Sequence, residues 1–124
     1  MSIAVIHMRE GCSPEQKAEL MKKTKEACMH GLGVGVLHSF CRIDEIPLEN
    51  CDEQTRHMVN LMVYTTEGKS VEGKDRVCRE FEDACREVLG DDFGLSIVIF
   101  KEHSDLNAGS KGQLRPFKPG YPNY

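Results

Sequence analysis

Apolar residues recur along this chain in two rhythms that alternate. Residues 3–8 are apolar and strand-like, and Gly11 and Cys12 follow them. Ser13-Pro14-Glu15-Gln16 then reads as a helix start, with Ser as N-cap, Pro at the first helical position and Gln three residues on to complete a capping box. The helix is predicted to begin at Pro14, to turn Leu20, Met21, Thr24, Ala27 and Cys28 toward a core, and to end at Gly31 and Gly33. Residues 36–45 read as a second strand. The same plan returns with a strand at 59–65, a helix at 71–89 and a strand at 95–101. That second helix is the clearest element, because Val77, Cys78, Phe81, Ala84, Cys85 and Val88 recur at helical spacing.

The two halves are one unit written twice, 2–45 and 59–102. Without a gap, Glu10 falls on Glu67, Gly11 on Gly68, Ser13 on Ser70, Glu15 on Glu72 and Lys17 on Lys74. Ala27 falls on Ala84, Cys28 on Cys85, Leu32 on Leu89, Gly33 on Gly90, Ser39 on Ser96 and Glu45 on Glu102. A helix between two strands makes each pair parallel with a right-handed crossover. The expected fold is therefore α+β: two βαβ units joined into one four-stranded sheet with both helices on one face. The other face is left for something else to cover, and a second subunit is the natural candidate. Each unit alone is of the size at which a core is marginal, which also favours assembly. Residues 46–57 form a polar linker. From His103 onward the chain holds Gly109, Gly112, Pro116, Pro119, Gly120 and Pro122, so the tail is expected to be extended, either wrapping a neighbour through Phe117, Tyr121 and Tyr124 or mobile.

Composition narrows the function. With 124 residues, 40% hydrophobic and 29% charged, the chain reads as one soluble globular domain, residues 1–124. Its 16 Lys and Arg are interleaved with 20 Asp and Glu, so no basic stripe presents itself to nucleic acid. The apolar runs are strand-sized, which argues against membrane insertion, and residues 1–9 lack a signal-peptide plan, so a cytoplasmic location is expected. Six cysteines without a Cys-x-x-Cys pair read as free thiols. His38 and Cys41 would point to opposite faces of a strand, so neither a metal nor another cofactor is expected.

The run Ser2-Ile3-Ala4-Val5-Ile6-His7-Met8-Arg9-Glu10-Gly11-Cys12-Ser13-Pro14-Glu15-Gln16-Lys17 resembles the start of 4-oxalocrotonate tautomerase and its relatives, the tautomerase superfamily. The resemblance extends over both units, about residues 2–112, and Asn107-Ala108-Gly109-Ser110-Lys111-Gly112 resembles the family's Gly-rich C-terminal hairpin. It implies a homotrimer of two-unit chains acting on a small carboxylate. In the family a mature N-terminal proline is the general base or acid and arginines hold the substrate carboxylate. Here Ser2 stands at the proline position, Cys12 and Phe40 at the two arginine positions, and Ala108 where the hairpin usually offers an aromatic ring. In the second unit the corresponding residues are Val59, Lys69 and Ile97.

These departures define the candidates. Removal of Met1 before the small Ser2 would leave a primary α-amine, with an ordinary pKa of about 7.7–8.0, able to abstract an α-proton or form a Schiff base. Cys12, just before a capped helix, is a second catalytic candidate because the helix dipole favours a thiolate. Arg9 and Lys69 are candidate carboxylate binders. In a dehalogenase branch of the superfamily a strand-end arginine and a phenylalanine correspond to Arg9 and Phe40, and Glu53 falls on a water-activating glutamate. His7, among apolar neighbours in the first strand, reads as structural. The expected function is isomerisation, hydration or decarboxylation of a small oxo or unsaturated carboxylate by an isomerase or lyase. The alternative is a noncatalytic ligand-binding or structural trimer. The enzyme requires a concave pocket with a cation at the Ser2 end of the first strand.

Overall fold

In the computed structural model, which describes residues 1–121, the elements follow the doubled plan. β1 (Ser2–Arg9), α1 (Pro14–Leu32) and β2 (Ser39–Ile46) form the first unit; β3 (Met58–Thr66), α2 (Val71–Leu89) and β4 (Leu95–His103) form the second. The sheet order is β2-β1-β3-β4. Within each unit the strands are parallel, and β1 meets β3 antiparallel at the centre, pairing Ser2 with Thr65 and His7 with Asn60. The units are thus related by a pseudo-two-fold axis between β1 and β3, so each has its own strand end, turn and helix terminus at opposite edges of the molecule.

Strand alternation divides the sheet into two faces. Ala4, Ile6, Met8, Val59, Leu61 and Val63 are buried with Leu20, Ala27, Cys28, Val77, Phe81, Ala84 and Cys85 of the helices in one core. Across the other face the registers lay out two apolar-rich rows, Phe40-Ile3-Tyr64-Lys101 and Arg42-Val5-Met62-Ile99, and a polar-rich one, Asp44-His7-Asn60-Ile97. Phe40 is 52% exposed, Ile99 47% and Ile97 41% there, so the chain alone leaves this face uncovered.

The Ser13 capping box forms as expected: Ser13 Oγ accepts from the Gln16 N–H, and Gln16 Oε1 accepts from the Ser13 N–H at 2.9 Å. Gly33 closes α1 in the left-handed region at φ 66°. Gly31, expected to share in ending the helix, instead lies inside it and is used for packing. A β-carbon on Gly31 would lie 2.4 Å from the Gly73 carbonyl oxygen, and one on Gly73 would lie 2.0 Å from the Gly31 oxygen, so α1 and α2 touch backbone to backbone. The repeat counterparts of these residues are Gln16 and Val88, and at that end the helices are joined by a hydrogen bond from Gln16 Nε2 to the Val88 carbonyl at 3.2 Å. Met21 is only partly buried, because the core stripe of α1 runs through Leu20, Thr24, Ala27, Cys28 and Leu32.

Two further expectations are corrected. Strand β2 begins at Ser39, since Val36–His38 forms a 3-10 turn that leaves Leu37 exposed. The chain after β4 carries more structure than its breakers implied. Short 3-10 turns span Asp105–Asn107 and Arg115–Phe117, and between them β5 (Gly109–Ser110) pairs with β6 (Gln113–Leu114). Lys111 and Gly112 connect those strands, both at positive φ, as a two-residue hairpin turn requires. Phe117 and Tyr121 are exposed; Tyr124 lies outside the described residues.

Candidate functional site

The pseudo-two-fold axis produces two pockets, each at the start of a central strand and beside the turn of the opposite unit. The first, of about 290 Å³, opens at Met1. It is lined by Lys69 from the turn before α2, by Gly33, Val34 and Gly35 after α1, and by Ala108, Gly109 and Ser110 of the hairpin. Arg115 and Lys118 come from the C-terminal segment, and among the described residues no Asp or Glu lines the cavity. Arg115 Nη1 is paired with Asp105 Oδ1 at 3.0 Å behind it.

The electrostatics of this pocket act on the chain terminus. Burial pushes the α-amine below its ordinary pKa near 8.0; Lys69 and Arg115 push the same way, and Asp105 opposes them. The neutral form of the amine is therefore more populated than it would be in an exposed terminus. Ser2 itself is fully buried, with its side chain on the helix side of the sheet in a row of hydroxyls, Ser39-Ser2-Thr65. Its Oγ has no hydrogen-bond partner of ordinary geometry among the described residues, and the Cys28 thiol is its polar neighbour. Thr65 Oγ1 donates to the Met1 carbonyl at 3.0 Å and fixes the chain where it enters the sheet.

The second pocket, about 50 Å³, lies at Met58 and Val59 and is lined by Arg9, Gly11, Cys12, Gln16, Arg56, His57 and Asp92 among others. Arg9 Nη2 is 3.5 Å from Asp92 Oδ2, and Arg9 Nη1 donates to the Glu10 carbonyl at 3.2 Å. Burial raises the pKa of the Cys12 thiol, and the Arg9 charge lowers it by less. The thiolate expected from the helix dipole is thus disfavoured at neutral pH.

The candidates from the sequence fall into two groups. Met1 shares the first pocket with Lys69, while the adjacent Ser2 is fully buried and lines neither pocket; Arg9 and Cys12 share the second. Ser2 and Arg9 are the two ends of β1, about 23 Å apart at the strand rise per residue. Phe40 lies on the open sheet face and Glu53 is exposed in the linker; neither lines a pocket. Sequence reasoning missed Arg115, Lys118, Arg56 and Asp92. The repeat offset held part of the signal, because it maps Met1 on Met58, Gly35 on Asp92 and Lys69 on Cys12, which line equivalent places in the two pockets.

No protein-family model matches the sequence, and no curated protein sequence does. The fold does have solved counterparts. A fused 4-OT solved as an asymmetric trimer superposes with a TM-score of 0.81 at 16% identity, over 92% of this chain and 96% of that one. A protein named Pt0534, inactivated by 2-oxo-3-pentynoate, gives 0.76 at 18% identity over 89% and 93%. An FG41 malonate semialdehyde decarboxylase inhibited by 3-bromopropiolate gives 0.74 at 15% over 90% and 92%. The chain has the fold of these tautomerase-superfamily structures.

Proposed function

We propose that this chain is a tautomerase-type enzyme whose α-amine serves as acid/base for a small oxo or unsaturated carboxylate. The observation that carries the reading is the α-amine of Met1: Met1 lines a cavity with Lys69, Arg115 and Lys118, in surroundings that lower the pKa of the terminus. A neutral amine removes a proton alpha to a carbonyl; the electron pair moves to the carbonyl oxygen as an enolate, and the ammonium returns the proton at another carbon. Lys69 holds the substrate carboxylate and offsets the enolate charge. Removal of Met1 places the amine on Ser2 at the strand end and widens the cavity. Both 2-oxo-3-pentynoate and 3-bromopropiolate, which act on proteins of this fold, are small unsaturated carboxylates, in keeping with a ligand of that class here. Whether the product is an isomer, a hydrate or a decarboxylated acid depends on the substrate.

The open sheet face supports assembly into a homotrimer, as in the fused 4-OT trimer. The noncatalytic reading draws on one feature: Arg9 and Phe40 stand outside the amine pocket, leaving Lys69 and the C-terminal cations as its anion binders. Intact mass with and without borohydride in the presence of pyruvate separates the two. Loss of Met1 and a reduced adduct on the Ser2 amine support the enzyme; retained Met1 with no adduct supports the noncatalytic trimer.

A further inference from the structure

The chain begins on a buried polar row that its internal repeat lacks. Ser39, Ser2 and Thr65 lie side by side across β2, β1 and β3, all buried on the helix side of the sheet. The repeat offset maps them on Ser96, Val59 and Met8, which also lie side by side. Ser96 pairs with Val59, and the β1–β3 register carried one residue past His7 and Asn60 sets Met8 beside Val59. This second row is apolar at two of its three places, and its one hydroxyl is satisfied, since Ser96 Oγ donates to Glu82 Oε1 at 2.6 Å. In the first row Ser2 Oγ and Ser39 Oγ have no partner of ordinary geometry among the described residues, and Thr65 Oγ1 donates to the Met1 carbonyl at 3.0 Å. A buried hydroxyl without a partner is costly, so the row is incomplete as it stands.

The hydroxyls stand where a terminal amine can form and are missing at Val59, where none can. Removal of Met1 takes away the carbonyl that Thr65 holds, and the Ser2 nitrogen that was bonded to that carbonyl carbon becomes the chain's α-amine. We propose that Thr65 is the positioning residue for this mature amine: its hydroxyl exchanges the Met1 carbonyl for the Ser2 nitrogen, beside the unpartnered hydroxyls of Ser2 and Ser39. A hydroxyl suits a group that changes protonation state, because it accepts from an ammonium and donates to the lone pair of a neutral amine, whereas an ionised carboxylate can only accept. The amine therefore keeps its seat while it takes up and returns a proton. This role of Thr65 rests on the acid/base function proposed for the amine and adds the side chain through which the fold aims it.

The test follows the rate of pyruvate–borohydride trapping at the α-amine in the parent, Thr65→Val and Thr65→Ser. In trapping, the amine nitrogen bonds to the carbonyl carbon of pyruvate, water leaves, and borohydride delivers hydride to the imine carbon. Intact mass identifies the first residue, and peptide mapping gives the adduct rate at each pyruvate concentration. With Met1 absent, Thr65→Val should lower the maximal rate about tenfold, the loss expected of one hydrogen bond to the reacting group. The half-saturating pyruvate concentration should not move, because Lys69 is untouched, and Thr65→Ser should restore the parent rate. Thr65→Ala, which removes the hydroxyl without adding a methyl group, is the second hydroxyl-free variant and should match Thr65→Val. Hydroxyl-free variants that trap as fast as the parent overturn the role of Thr65 and leave the amine reading intact. A Thr65→Ser protein as slow as Thr65→Val, or a defect confined to half-saturation, also overturns it. Met1 retained in the parent overturns it too, since the carbonyl then keeps the hydroxyl, and the absence of any α-amine adduct in the parent removes both readings.

Discussion

Replacing Gly73 by Ala puts two physical effects in direct opposition. Helix propensity alone favours the change, by at most about 1 kcal/mol. The added β-carbon would lie 2.0 Å from the Gly31 oxygen and 2.9 Å from Ser70 Oγ, the N-cap hydroxyl that accepts from the Gly73 N–H. Ordinary contact begins near 3.4 Å, so α2 must retreat from α1 by about 1.4 Å, and the obstructing atom is backbone that no rotamer change can move. A gap of that size forfeits much of the dispersion energy between the helices, and overpacking of this kind costs roughly 1–3 kcal/mol, at the upper end where backbone meets backbone. The net expectation is a destabilisation of about 2 kcal/mol, a fall in Tm of roughly 8 °C for a chain of this length. Gly35→Ala is the control: it has nothing within 4 Å of its added carbon and φ at −74°, so it should be unchanged or stabilised by up to about 1 kcal/mol. Gly31→Ala should behave as Gly73→Ala does, and the double variant should cost less than the sum, because one helix separation relieves both clashes. Urea unfolding of the parent and the four variants at one fixed concentration measures this. A Gly73→Ala protein as stable as the parent would refute the close helix contact.

Three further outcomes follow from named groups. Lys69→Ala removes a like charge that lowers the amine pKa, so the pH at which pyruvate–borohydride trapping reaches half its maximum should move upward. A profile that stays in place or moves to lower pH would separate Lys69 from the amine. Cys28, Cys41 and Cys85 are pushed up to about 12 by burial, so a disulfide reagent at pH 8 should leave these three unmodified in the native protein and reach all six thiols in denaturant. Ile99→Glu on the open sheet face should shift the assembly toward monomer by sedimentation equilibrium, with the far-ultraviolet circular dichroism retained. An unchanged mass would place the subunit interface elsewhere.

What the sequence determined by itself was periodic. Spacings of 2 and 3.6 residues, the Ser13 capping box and the 57-residue repeat were enough for four strands, two helices and their joint packing, because each depends on neighbours along the chain. The two pockets depend on neighbours across it. Lys69 meets the amine only because β1 and β3 run antiparallel, which carries the turn after β3 to the start of β1. The same reversal sends Arg9 and Cys12 to the opposite edge, so residues within ten positions of Ser2 belong to a different pocket. Gly31 looked like a terminator because a glycine near a helix end favours a cap; only the approach of α2 shows that the missing side chain makes room for a carbonyl. Arg115 carried no signal in spacing or composition, and Asp92 only its repeat match to Gly35. Their roles come from a hairpin and a strand entry folded against distant turns, where electrostatic distance is set by tertiary packing.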